Sequence, residues 1–189
     1  MSKADELNNF IGGLPDDVKV HMSRGPIQKL STFSQGVEFK PKGLWYDCDK
    51  EWMSWISSEM PDWVTGYNYV YTIHLNKSNI LELKSEDDIL NFTQEYGTAS
   101  TNHIDWKKVS SKYAGIEICP YQWGLRMYEK TRWYYTWDVA SGCIWNPSGV
   151  NINFIGLWSN EESRIIPKNE LIGGNVEARR MSWYKRSAL

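Results

Sequence analysis

Apolar and polar positions alternate from Val18 to Arg24 (VKVHMSR), between Pro15 and Gly25-Pro26, and this period of two predicts a strand. GLWYD, Gly43 to Asp47, predicts a second short strand. In DKEWMSWISSEM the apolar positions Trp52, Trp55, Ile56 and Met60 recur at helical spacing, and Pro61 stops the helix. YNYVYTIHL, Tyr67 to Leu75, is strongly β-like, and ILEL, Ile80 to Leu83, follows it. Ser85-Glu86-Asp87-Asp88 has the form of a capping box that opens a helix through Tyr96, ended by Gly97. Short helices are also expected over Ser2 to Gly12 and Asp105 to Lys112. The C-terminal half reads as strands at GIEI (Gly115 to Ile118), RWYYTWDV (Arg132 to Val139), GCIWN (Gly142 to Asn146) and, more weakly, NFIGLW (Asn153 to Trp158). Strands outnumber helices and do not alternate with them, so the pattern predicts an α+β fold.

Composition narrows this further. A length of 189 residues fits one domain, 1–189. Lys plus Arg is 21 against 23 Asp plus Glu, a net charge of -2, which argues against a dedicated nucleic-acid patch. Hydrophobic residues at 41% and charged residues at 23% place the chain among globular proteins. No apolar run approaches the roughly 20 residues of a membrane span, and the opening MSKADELNNF is no secretory signal. Cys48, Cys119 and Cys143 are far apart and lack metal-ligand spacing, so neither a disulfide framework nor a zinc site is expected. These features imply a soluble, reduced, cytoplasmic domain with no membrane partner. The basic tail from Asn175, with Arg179, Arg180, Lys185 and Arg186, reads as solvated surface or a last strand.

Eleven Trp and eleven Tyr stand beside only five Phe. Such rings serve as core filler, or as walls that stack on flat ligands. WYYTWD, taken as a strand, puts Trp133, Tyr135 and Trp137 on one face and Tyr134 with Asp138 on the other. Familiar chemical motifs are missing: the chain has no GxGxxG, GxxxxGK[ST], GxSxG or HExxH. Among the histidines, His74 alternates within a strand, His103 sits in a polar loop, and His21 lies centrally in the first strand.

Three segments together resemble the ADP-ribosyltransferase superfamily, the fold of diphtheria-toxin-like transferases and poly(ADP-ribose) polymerases. VHMSRG supplies the early-strand His or Arg, at His21 and Arg24, that holds the nicotinamide ribose in that family. KGLWYDCDKEWMSWI resembles its G-[IL]-Y strand and following helix, with Trp45 at the ring position that stacks on nicotinamide and Tyr46 beside it. GCIWNPSGVNI resembles the late strand and [DN]-P turn, and GIEI the strand before it. The resemblance implies a split, bent, mainly antiparallel sheet with two or three short helices. It also implies NAD as co-substrate, an acceptor macromolecule, and ADP-ribosyl transfer or NAD cleavage.

One position departs from the pattern. Counting back from Asn146-Pro147 places Ser141 where the family carries its catalytic Glu. Asp138, three residues earlier, is the nearest acid, and Glu117 is a second candidate. The candidate catalytic set is therefore Asp138, Ser141 and His21, with His21, Arg24, Trp45 and Tyr46 holding NAD or a related nucleotide. Trp45 is expected to stack on the ligand, and Trp52 and Trp55 to be core. The alternative is a non-catalytic binding or inhibitor protein that holds a nucleotide, sugar or partner protein in the same cleft. KPKGLW, the W-x-x-W spacing, IDW and SGCIWN also resemble stretches of phage-encoded proteins, which would place the chain in a host cytoplasm.

Overall fold

Strand alternation organises the molecule. In the computed structural model, which describes residues 9, 13–14, 18–48, 51–60, 69–99, 102–159 and 164–169, β1 (Lys19–Ser23) buries Val20 and Met22 between half-buried neighbours. It pairs antiparallel along its length with β4 (Tyr69–Leu75), His21 opposite Tyr71. β4 pairs with β9 (Val150–Ser159), where an irregularity between Val70 and Tyr71 bends the ladder, and β9 pairs with β10 (Arg164–Pro167). On the other side of β1 follow β3 (Leu44–Asp47), β8 (Ser141–Ile144), β7 (Gly115–Ile118) and β5 (Ile80–Leu83), completing an eight-stranded sheet. Every neighbour is antiparallel except β5 and β7. A parallel pair needs a long crossover. Here α2 (Glu86–Tyr96), the short strand β6 (Ile104–Asp105) and α3 (Trp106–Ser110) supply it, while β6 pairs with β2 (Val37–Glu38) and α1 (Glu51–Glu59) follows β3. The result is a single α+β domain with a mainly antiparallel sheet.

Local chemistry sets the helix ends. Ser85 accepts from the Asp88 backbone N–H at 3.2 Å, while the Asp88 carboxylate accepts from the Ser85 and Lys84 N–H groups. That is the expected capping box, and the three acids of the first turn complement the helix dipole.

Three hydrophobic clusters flank the sheet. The largest joins Ile116, Ile118 and Cys143 of the sheet to Phe92, Trp106, Trp133 and Trp137. A second packs Val20, Met22 and Val70 under Ile56 of α1. The third gathers Leu44, Tyr46, Ile73 and Ile144 beneath Ile27 and Leu30. Three buried indoles find acceptors for their N–H groups: Trp106 donates to Glu38 O, Trp133 to Thr93 Oγ1, and Trp145 to Tyr113 O.

Two expectations are corrected. RWYYTWDV is not a strand, because Glu129–Thr136 forms a 3-10 run with Trp133 and Tyr134 buried and Tyr135 exposed. Its aromatic residues carry strand propensity, but packing against α2 decides the backbone, and propensity yields to such packing. The predicted faces of WYYTWD go with it. The second correction concerns cysteine. Cys48 and Cys119 form a disulfide, 71 residues apart in sequence with Cα atoms 6.3 Å apart. β3 and β7 both flank β8, so the ends of distant segments converge in a way that spacing along the chain does not reveal. Cys143 remains a buried thiol, its pKa pushed up by burial. The expected N-terminal helix falls almost wholly outside the described residues, as does the basic tail.

Gly142 is a position where the sheet admits no side chain. It faces Tyr46 on β3 and Glu117 on β7 in register. The Tyr46 ring crosses the space a side chain would fill, and its hydroxyl donates to Glu117 at 3.0 Å. A Cβ at Gly142 would lie 2.1 Å from that ring. Gly142→Ala is therefore expected to lower the unfolding free energy by about 1–3 kcal/mol or more, as overpacking does, measured by urea denaturation.

Buried phenols generate a second prediction. Burial, then the Glu117 charge, raises the Tyr46 pKa well above its ordinary 10.0, burial pushes Tyr121 up to about 12, and burial raises Tyr134 as well. Their stabilisation is fully present below the unfolded value and lost above it. The unfolding free energy should fall by about 1.4 kcal/mol per pH unit per phenol as pH rises past 10.0, and Tyr46→Phe should make the fall shallower. A flat alkaline profile would refute this.

Candidate functional site

The pocket begins as a gap in the ladder. β1 shares five register pairs with β4 but only one, Val20 with Asp47, with β3. Where that pairing lapses, the His21 imidazole takes over, its Nδ1–H donating to the Trp45 carbonyl. This bond fixes the neutral tautomer, so Nε2 carries the lone pair. Burial lowers the His21 pKa from its ordinary 6.5, opposed by the Trp45 hydrogen bond, and the ring is uncharged at neutral pH.

A cavity of about 450 Å³ opens over this junction, large enough for a nucleoside-sized ligand. Val20, His21 and Met22 of β1 border it, with Trp45, Tyr46 and Asp47 of β3. Trp52 and Trp55 of α1 form one wall, and the segment from Asp138 to Ser141 another. Lys40 closes the rim, its ammonium 5.1 Å from the Trp45 ring centroid and 3.8 Å from the Asp138 carboxylate. Burial lowers the Lys40 pKa, and the neighbouring Asp138 charge partly restores it. Asp138 also lies 3.8 Å from the Arg126 guanidinium.

Five of the six sequence-predicted site residues thus border one pocket: His21, Trp45, Tyr46, Asp138 and Ser141. Arg24 does not. It is exposed just beyond the end of β1 and is not part of the lining. Tyr46 meets the pocket along its strand, since its hydroxyl is committed to Glu117, which is buried and 3.7 Å from Lys19. Ser141 donates to the Val139 carbonyl at 3.0 Å. Trp45 is half-buried and packs edge-on against Trp137 at 4.8 Å. Trp52 and Trp55, also half-buried, pack on the second cluster as expected and border the pocket as well. Gly43, just before β3, lets the chain pass close to β8, where a Cβ would collide with the Ile144 carbonyl.

Asp47 and Lys40 went unnoticed in the sequence. Asp47 is buried, stands opposite Ser141 in the β3–β8 register, and accepts from the Trp52 N–H at 3.1 Å, starting α1. Its signal was available, because period-two alternation from Trp45 puts Asp47 on the same face. Lys40 lies in a loop with no local pattern. Among the described residues, His, Cys, Asp and Glu ligand atoms come within metal-binding reach at Cys48, Glu117 and Cys119, where the two sulfurs are already joined. No described helix is long and apolar enough to cross a membrane. No family model, curated protein or solved structure matches the chain.

The walls therefore present three indoles, two carboxylates and one ammonium beside a neutral imidazole. Such a set favours a flat ligand bearing positive charge, held by ring faces and carboxylates together. One consequence concerns His21 itself. With its folded pKa depressed, the unfolded chain takes up the proton first, so stability present above pH 6.5 is lost as pH falls below it. An NMR titration should place the His21 midpoint below 6.5, and His21→Phe should flatten the acid limb of the stability profile.

Proposed function

We propose that the pocket binds NAD and that the chain catalyses ADP-ribosyl transfer or NAD cleavage. The observation that carries this is convergence: residues from three separate segments, His21, Trp45 with Tyr46, and Asp138 with Ser141, border one cavity. The charge on the walls supports the same substrate, because the nicotinamide ring of oxidised NAD is a flat cation.

In this reading the indoles of Trp45, Trp52 and Trp55 hold the nicotinamide, and His21 Nε2 accepts from a ribose hydroxyl. The bond from ribose C1′ to the nicotinamide nitrogen breaks with its electron pair leaving on nicotinamide. Positive charge then develops at C1′, and the Asp47 and Asp138 carboxylates stabilise it as preorganised charges. A lone pair of the acceptor, or of water, forms the new bond at C1′, and its proton passes to solvent. Asp47 supplies, from across the ladder, the negative charge that the family resemblance would place at Ser141.

Incubation with NAD should release nicotinamide, and oxidised NAD should stabilise the fold against heat more than NADH does. Asp47→Asn and Asp138→Asn should each slow release; removing a preorganised group of this kind typically costs about a hundredfold. The variant that keeps NAD affinity while losing release identifies the carboxylate facing C1′. Ser141 in place of the expected Glu favours a second reading, a protein that binds the nucleotide without turning it over. Thermal protection without nicotinamide release would establish that reading, and neither effect would exclude both.

A further inference from the structure

Among the described residues, four of the six exposed large hydrophobic side chains gather in one segment, with Phe33 and Val37 lying apart from it in sequence. Trp123 is 65% exposed, Met127 78%, Tyr128 41% and Tyr135 51%, where a solvated core-forming chain would bury such rings. They are ordered by one another. The Arg126 guanidinium lies 5.7 Å from the Trp123 ring and 5.8 Å from the Tyr135 ring, and Trp123 packs edge-on against Tyr121 at 4.8 Å. At 3.8 Å from Asp138 the guanidinium is outside hydrogen-bond range of that carboxylate, so the pair leaves its donors available to a ligand.

Charge is uneven here as well. Between Gln122 and Thr136 the chain carries Arg126, Lys130 and Arg132 against Glu129 alone, and Lys130 and Arg132 are exposed. The Glu86 carboxylate approaches from α2 at Gly124. The segment itself is basic by two, with the Glu86 and Asp138 carboxylates bordering it, although the whole chain is acidic by -2.

We propose that this face, centred on Trp123, Arg126 and Tyr135, is a binding surface for single-stranded nucleic acid. Exposed rings alternate with cations along it, and single strands offer the complement: unpaired bases to stack and phosphates to neutralise. An acidic protein segment matches the cations but leaves the solvent-facing rings without flat partners. The proposal does not depend on NAD chemistry in the pocket, and binding alone tests it.

The experiment measures fluorescence anisotropy of a labelled oligothymidylate of about 12 nucleotides with the full chain at low salt. Binding is expected, weakening with added salt as phosphate contacts require. Trp123→Ala and Tyr135→Ala should each weaken it about tenfold, the effect of losing one stacked base. Both residues are exposed, and circular dichroism checks that each variant stays folded. Lys130→Ala with Arg132→Ala should reduce the salt dependence while leaving the stacking contribution. Three results would overturn the proposal: no binding at low salt, binding that both ring variants leave unchanged, or equal competition by poly-glutamate. A duplex of the same length binding as tightly would also overturn it, since paired bases cannot stack on the rings.

Discussion

β1 and β3 meet through a single register pair, Val20 with Asp47, and the arrangement of the site follows from that. Full pairing would draw the two halves of the sheet together and close the space between them. Instead, α1 packs over Val20, Met22 and Val70 while α2, α3 and the 3-10 run pack over Ile116, Ile118 and Cys143. The pocket lies at the seam between these two packed bodies, bordered by residues from both. His21 spares the Trp45 carbonyl an unmet hydrogen bond at the point of divergence, so the gap does not leave a buried acceptor unsatisfied.

On the opposite side of the same strands, Gly142 provides a complementary constraint. By omitting a side chain it lets Tyr46 reach Glu117 across β8, and Lys19 brings a cation to 3.7 Å from the same carboxylate. A buried acid needs both hydrogen bonding and charge compensation. Glu117, which the sequence offers as an alternative acid, has both and is turned to structural use. The carboxylates at the pocket are Asp47 and Asp138, and each also acts locally, since Asp47 starts α1 and Asp138 pairs with Lys40 and Arg126.

Much of this fold was legible because its signals are local. Alternation located β1, β-forming composition located β3 and β4, helical spacing located α1, and the Ser85–Asp88 capping box located the start of α2. The 3-10 run was not legible, because Trp133 packs on Phe92 of the distant α2 and Tyr134 stacks on Tyr121, contacts that no local period encodes. The disulfide was hidden for the same reason: Cys48 and Cys119 meet only because β8 returns late in the chain to lie between β3 and β7. At the site, the segments bearing His21, Trp45 and Ser141 stood out by resemblance. Asp47 shares the face of Trp45 by alternation within β3, but its place opposite Ser141 required the register of β3 on β8, and Lys40 required the tertiary path of a loop.

Asp138 shows how the two surfaces remain distinct while sharing a charge. It lies between Lys40 at the pocket rim and Arg126 on the outer face, 3.8 Å from each. Its side chain and that of Lys40 are both more than a third exposed. Ion pairs of that exposure contribute about 0–1 kcal/mol, too little to fix either cation in place. Ring contacts of comparable strength share the positioning: Lys40 sits over Trp45, and Arg126 lies near both Trp123 and Tyr135. Either cation can then turn toward an anion without a large loss of stability, because its rings hold the side chain while its carboxylate partner remains solvated.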